Sequence, residues 1–296
     1  IRQKFSWRRA ASAVVLLVCA GFLGYKAYDS WEALRAYDWQ IQYIRLVPSF
    51  LLYLVYLFFA VWGWQSIMNR LAHRLPFVDH LRIYSFTNLM RRIPAGLVWS
   101  TLGRVYAYQK QQIPARASAV GSFLEIVLAV MSGLPLAVLA AYAFGFLPPW
   151  AAIMLGAVAV ALDLIVLHPA VLAKLFSVVR HEPLQAKLSY RDTLPWALIY
   201  TMVWLMGGVG LFMVARLFVD LPLDVFAQVV GVWVLSSLIA FLTILSPSGL
   251  GVRELSMTVL LGLFLPDPLP LLIALAMRLI WTLYDLIAGV VAWLAH

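Results

Sequence analysis

Apolar stretches of about twenty residues recur along the chain, separated by short polar or charged segments. That length lets a helix cross a bilayer core of ~30 Å. The pattern predicts helices over about 10–28, 46–68, 117–144, 150–171, 194–217, 225–245 and 268–294. Short strands of alternating character, the mark of a membrane barrel, do not occur. Two stretches break the rhythm. Residues 83–116 are semi-polar, and residues 246–267 open as SPSGLGVRE and run on as LSMTVLLGLFLPD, too short to cross comfortably. The predicted architecture is an all-α polytopic membrane protein with about seven or eight transmembrane helices and two broken or re-entrant segments.

The broken segments echo each other. Pro94–Ala95–Gly96–Leu97 in the first corresponds to Pro247–Ser248–Gly249–Leu250 in the second, and each has an arginine downstream, Arg104 and Arg253. This is a weak internal repeat within one integral membrane domain, 1–296, with half-repeats over 1–145 and 150–296. Gly/Pro-interrupted segments at corresponding positions of two halves point to a transporter-like binding site. Irregular backbone at membrane depth must be buried in protein or line a wet cavity, because lipid cannot satisfy its N–H and C=O groups.

Composition agrees with the membrane reading: 64% of residues are hydrophobic and 12% charged, against about 25% charged in soluble domains. A net charge of +9 could suggest nucleic acid, but its distribution excludes that. Arg70, Arg74, Arg82, Arg91 and Arg92 fall in one connection, and Lys174, Arg180, Lys187 and Arg191 in another, whereas Asp220, Asp224 and Asp267 mark the alternate ones. The asymmetry is the positive-inside pattern. It places the N-terminus in the cytoplasm, where helix two delivers residues 69–92. The first apolar run follows Lys4, Arg8 and Arg9 like a signal peptide but lacks a small-x-small cleavage site, so it reads as an uncleaved helix. Aromatic residues near run ends, among them Tyr25, Trp31, Trp150, Trp196, Tyr200 and Trp293, read as interfacial anchors. The single cysteine, Cys19, permits no internal disulfide.

Ser246 is a candidate N-cap with Pro247 at the first helical position. Gly249 and Gly251 allow close backbone approach, and Arg253 adds a full charge to the helix's partial one, a combination suited to an anion such as phosphate. The same small residues equally suit a helix-packing notch. Charges inside the spans cost about 2.5–3.5 kcal/mol each on insertion scales and persist when they face the bundle interior and pair. Four such residues stand out: Glu125, Asp163, Arg278 and Asp285. Arg278 and Asp285 share a helix face some 10 Å apart, so each needs another partner: Glu254 or Glu125 for Arg278, Arg253 or Arg104 for Asp285. Asp163, near a helix end, reads as structural. The histidines show no metal-ligand spacing, and no recognised catalytic or cofactor motif occurs, so no metal, cofactor or catalytic residue is assigned.

The run TNLMRRIPAG with Trp99, Gly103 and Arg104 behind it, the later Leu124–Glu125, and SPSGLGVRE together resemble the lysylphosphatidylglycerol synthase transmembrane family. That family includes the flippase domain of the multiple-peptide-resistance proteins. Its late motif is usually Pro-Gly-Gly-x-Gly-x-x-Glu; Pro247, Gly249, Gly251 and Glu254 match, and Ser248 replaces the middle glycine. Its early motif often reads Pro-Gly, where Ala95 stands here with Gly96 just after. The resemblance implies lipid translocation without an attached aminoacyl-transferase domain.

With that resemblance, the expectation is a flippase-like transporter of a bacterial or archaeal cytoplasmic membrane for a phospholipid, glycolipid or polyprenyl-phosphate-linked lipid. The two broken segments would meet near the middle of the bundle. Arg253, Arg104 and Arg92 would receive a phosphate, Glu254 and Glu125 would balance them or bind a cationic headgroup, and Arg278 and Asp285 would complete a polar path. Ser246, Ser248, Gly249 and Gly251 would line the headgroup site, with Pro94, Gly96 and Pro247 shaping its backbone. The alternatives are a membrane-embedded transferase for lipid-linked sugars and an accessory scaffold in lipid modification. The partners implied are the bilayer and a membrane lipid, with a second copy of the chain or a lipid-synthesising enzyme as compatible protein partners.

Overall fold

The computed structural model describes residues 18, 21–37, 41–92, 96–172, 174, 188–242 and 251–294. Pro94, Ser246, Pro247, Ser248 and Gly249 lie outside the described residues, as do the Arg92 side chain and most of the first apolar run. The described residues are all-helical. After α1 (21–29) and the short α2 (Trp31–Ala36) come α3 (Leu46–Leu71), α4 (Phe77–Leu89), α5 (Gly96–Lys110), α6 (Ala115–Ala143) and α7 (Pro149–Val166). The second half holds α8 (Tyr190–Ala215), α9 (Phe226–Leu242), α10 (Val252–Leu261) and α11 (Leu269–Leu294).

Six of these segments are long and apolar enough to cross a bilayer: α3, α6, α7, α8, α9 with the turn before it, and α11. Their exposed faces carry large apolar side chains, such as Ile153 (73% exposed) and Leu279 (71%), while Arg104, Glu125 and Asp285 are buried. A soluble bundle would place these residues the other way round. The chain is a multi-pass membrane protein.

The bundle is organised around α3 and α8, which share the most extensive helix contact. A methyl on Gly63 would touch Ile199 and Tyr200, and Arg70 bonds Asp192 at 3.3 Å, so the two helices run antiparallel. Helix α6 is also antiparallel to α3: Gly121 sits on Trp64 and Met68, and about two turns on the Ala129 carbonyl accepts from Trp204 of α8, which lies past the Gly63–Tyr200 crossing on the side away from Arg70. The C-terminal end of α3 and the N-terminal end of α6 therefore share one end of the bundle.

That placement resolves the first broken segment. Helices α4 and α5 are antiparallel, because His80 meets Tyr108 near one end and Thr87 meets Arg104 near the other. At 13 and 15 residues they are about 20 and 22 Å long, each short of the ~30 Å core. The chain leaves α3 and enters α6 at the same end, so the pair is a re-entrant hairpin. Its tip is the 3₁₀ turn Met90–Arg92, against which α5 begins. A Cβ on Gly96 would lie 2.5 Å from the Met90 carbonyl oxygen and 2.6 Å from the Arg91 backbone. Only glycine fits that approach.

The second broken segment contains α10, ten residues or about 15 Å long, half the depth of the core. Its N-terminal Arg253 stacks on Trp233, the eighth of the 17 residues of α9. Helix α10 thus starts near the middle of the bundle and runs to one end. Both broken segments pack against α11.

Two expectations need correction. The arginine-rich segment 69–92, expected as a cytoplasmic connection, is largely part of the hairpin, because residues 77–89 are helical and Arg91 reaches inward to Glu125. Trp196 and Tyr200 are not interfacial anchors: each is 4% exposed and packs with Ile67 and Val120. By contrast, Tyr25, Trp31, Trp150 and Trp293 are more than half exposed.

Candidate functional site

Two charged centres lie where the broken segments enter the bundle. The first is built on Glu125 of α6. Its carboxylate accepts from Arg104 Nη1, from Arg91 Nη2 at 3.1 Å and from the Tyr84 hydroxyl at 3.0 Å. The Arg104 guanidinium is clasped between rings, 4.2 Å from the Trp64 centroid and 4.4 Å from that of Tyr84, and its Nε donates to Thr87 at 3.3 Å. Arg104 is 1% exposed and Glu125 4%. Moving such charges out of water is offset only by pairing and further hydrogen bonds, and the cation–π contacts add to that. Trp64 in turn donates to the Tyr108 hydroxyl at 2.7 Å. This centre locks the hairpin to α3 and α6.

The second centre is built on the start of α10. Gly251 has φ +80°, a conformation open to glycine, and its N–H donates to Glu254 Oε2 at 2.9 Å. Glu254 therefore caps its own helix, supplying the carboxylate half of a capping box. Its other oxygen accepts from Arg278 Nη1 of α11. Arg253 points the other way, 3.9 Å above the Trp233 ring. Trp281 lies 4.9 Å from Trp233 and closes the wall. Trp233, Arg253, Glu254, Arg278 and Trp281 line a cavity of about 20 Å³, room for roughly one water. The Arg278 side chain is 31% exposed, so this centre reaches solvent-accessible space.

Between them stands Asp285 of α11, 2% exposed, which accepts from the Tyr53 hydroxyl at 2.6 Å and from Asn88 Nδ2 at 2.8 Å. Asn88 is at the end of α4, so α11 touches the hairpin through Asp285 and α10 through Arg278. The seven residues between them span about 10 Å of helix. Of the pairings considered, Arg278 takes Glu254 and Glu125 balances Arg104; Glu125 also takes Arg91, which was not expected, and Asp285 accepts from Tyr53 and Asn88 while Arg104 goes to Glu125.

The residues missed from sequence are mainly aromatic and amide: Trp64, Tyr84, Asn88, Tyr53, Trp233 and Trp281, with Arg91. For Trp233 and Trp281 a signal existed, since both lie well inside apolar runs rather than at their ends. Among the described residues no group of three or more His, Cys, Asp or Glu could hold a metal ion.

The fold and site define the class: a helical multi-pass membrane bundle in which a re-entrant hairpin and a half-length helix converge on buried charges. The particular family follows from the whole sequence: residues 9–289 match the family model described as lysylphosphatidylglycerol synthase TM region. The chain belongs to this family and is a membrane lipid-related protein. No curated protein matches the chain.

Proposed function

We propose that the protein is a flippase-like transporter of a cytoplasmic membrane, with its N-terminus on the cytoplasmic side, moving a phospholipid, glycolipid or polyprenyl-phosphate-linked lipid between leaflets. The observation that carries this reading is the start of α10 near mid-bundle, where Arg253, Glu254 and Arg278 meet at a small cavity otherwise walled by Trp233, Trp281, Met257, Ala274 and Met277. A lipid needs help only with its headgroup, because its chains can stay in hydrocarbon while the polar part crosses. A cation held on an aromatic ring and a carboxylate shared by a helix cap and an arginine are groups that can exchange partners with a charged headgroup. With space for about one water, the cavity must widen during transport. Arg253 is the phosphate receptor in this reading, and Glu254 with Arg278 forms the switchable pair.

Reconstitution into liposomes with labelled lipids tests this. The wild type should exchange lipid between leaflets faster than protein-free liposomes, and Arg253→Ala should lose that exchange while still inserting. Exchange by the wild type no faster than in empty liposomes across all three lipid classes would sink the reading.

A further inference from the structure

Helices α3 and α8 do more than pack together. Along α3, Phe59, Trp62, Ser66 and Arg70 recur at helical spacing on one face, and along α8 so do Arg191, Pro195, Leu198 and Met202. The two stripes line a groove of about 560 Å³ that is open on one side. None of the residues of the two charged centres takes part in it.

The groove is polar at one end only. Arg70, Arg74 and Arg191 form its rim, with Asp192 as the one carboxylate. Asp192 bonds Arg70 at 3.3 Å and also caps α8 by accepting from the Ser189 N–H at 2.8 Å. It is therefore committed, and the rim keeps a net positive charge. Arg74 and Arg191 are exposed and have no carboxylate partner among the described residues. The other end is apolar. Trp62 (42% exposed), Leu198 (65%) and Met202 (39%) present their side chains to the groove. From Arg70 to Phe59 is eleven residues of helix, about 16 Å, which matches half of a ~30 Å hydrocarbon core.

We propose that this groove binds one anionic phospholipid from the leaflet on the arginine-bearing side. The phosphate lies on Arg74 and Arg191, and an acyl chain lies along Phe59, Trp62, Leu198 and Met202. A free phosphate ester would use the rim alone and leave the apolar floor unfilled. A zwitterionic lipid would bring its ammonium group against the arginines. The inference depends on the membrane placement of the bundle and not on transport, so it stands or falls separately from the flippase reading.

Native mass spectrometry of the purified protein, titrated with phosphatidylglycerol and phosphatidylethanolamine of identical chains, tests it. The wild type should retain phosphatidylglycerol preferentially. Arg74→Gln with Arg191→Gln should weaken that retention about thirtyfold and make phosphatidylethanolamine retention no weaker than in the wild type. Ser66→Trp, which fills the floor, should reduce binding of both lipids. Glycerol 3-phosphate, carrying the charge without chains, should displace nothing. Both arginines are exposed, so their replacement should leave stability near wild type; should that variant fail to fold, Ser66→Trp decides alone. Equal retention of the two lipids by the wild type, undiminished selectivity in the double variant, undiminished retention in Ser66→Trp, or displacement by glycerol 3-phosphate would each overturn the proposal.

Discussion

Glu125 and Glu254 sit in equivalent chemical situations and opposite physical ones. Each is a carboxylate on a helix, bonded to an arginine from another element, beside a second arginine and an aromatic ring. Yet Glu125 holds a tyrosine and two arginines, Arg91 29% exposed and Arg104 sealed between rings at 1%, whereas Glu254 shares itself between a backbone N–H and a single arginine that is 31% exposed. One is a lock and the other a latch. The same residue types serve stability where both carboxylate oxygens are held by donors from three side chains and serve exchange where fewer donors hold them.

The lock should be the most expensive place to cut. Removing one partner of a buried ion pair costs about 3–5 kcal/mol, because the other charge is left uncompensated. Glu125→Gln strands Arg104 between Trp64 and Tyr84, so thermal unfolding in detergent should begin well below the wild type. If Glu254→Gln lowered the melting temperature as far, the distinction between the centres would be wrong.

The latch can also be reached through its wall. Gly207 of α8 packs against Trp233, and a methyl group there would overlap the indole ring. Gly207→Ala should therefore displace Trp233, the platform under Arg253, at a cost of about 1–3 kcal/mol for overpacking. Under the transport reading, leaflet exchange should fall more than stability. A variant with normal stability and normal exchange would show that the Trp233 platform does not hold Arg253 in a working position.

Much of this was legible in the sequence, and the rest was not for physical reasons. Apolar run length located the six long helices to within a few residues, because crossing a bilayer leaves little freedom in length. Gly96 and Gly251 announced tight backbone, and they sit at the start of α5 and just before α10. The first broken segment was legible as broken or re-entrant, but its course was not, since it is held by Glu125 downstream, through Tyr84, Arg91 and Arg104, and by Trp64 upstream. Arg104 and Arg253 looked alike because each follows a Pro-x-Gly-Leu element. What separates them is burial, contributed by rings from other helices, which local pattern cannot report.

Glu254→Gln probes the latch directly with a smaller effect on stability. The amide oxygen can still accept from Gly251 N–H, so the loss is the charge opposite Arg278 and part of a cap, about 1 kcal/mol. Under the transport reading, exchange in liposomes should drop far more than the melting temperature. An exchange rate equal to wild type would make the Glu254–Arg278 pair a packing device, and the two centres would then differ only in degree.

The smallest effect belongs to a third arginine–carboxylate pair placed in water. Arg45 Nη2 bonds Asp220 at 2.6 Å between α3 and the connection after α8, but the Asp220 side chain is 71% exposed. Exposed pairs contribute little because solvent screens them and holding two side chains costs entropy. The hydrogen bond and charge of Arg45 hold the Asp220 carboxyl below its usual range. A lowered folded value means that the pair's contribution is fully present above the unfolded carboxylate value of ~3.9. It is then lost as pH falls through the lower folded value. Asp220→Asn should leave the melting temperature at pH 7 unchanged within error and should flatten only the acid limb of its pH profile, below about pH 4. A neutral-pH loss as large as that of Glu254→Gln would mean that exposure is not what ranks these pairs, and the graded series from lock to latch to surface would fail at its last step.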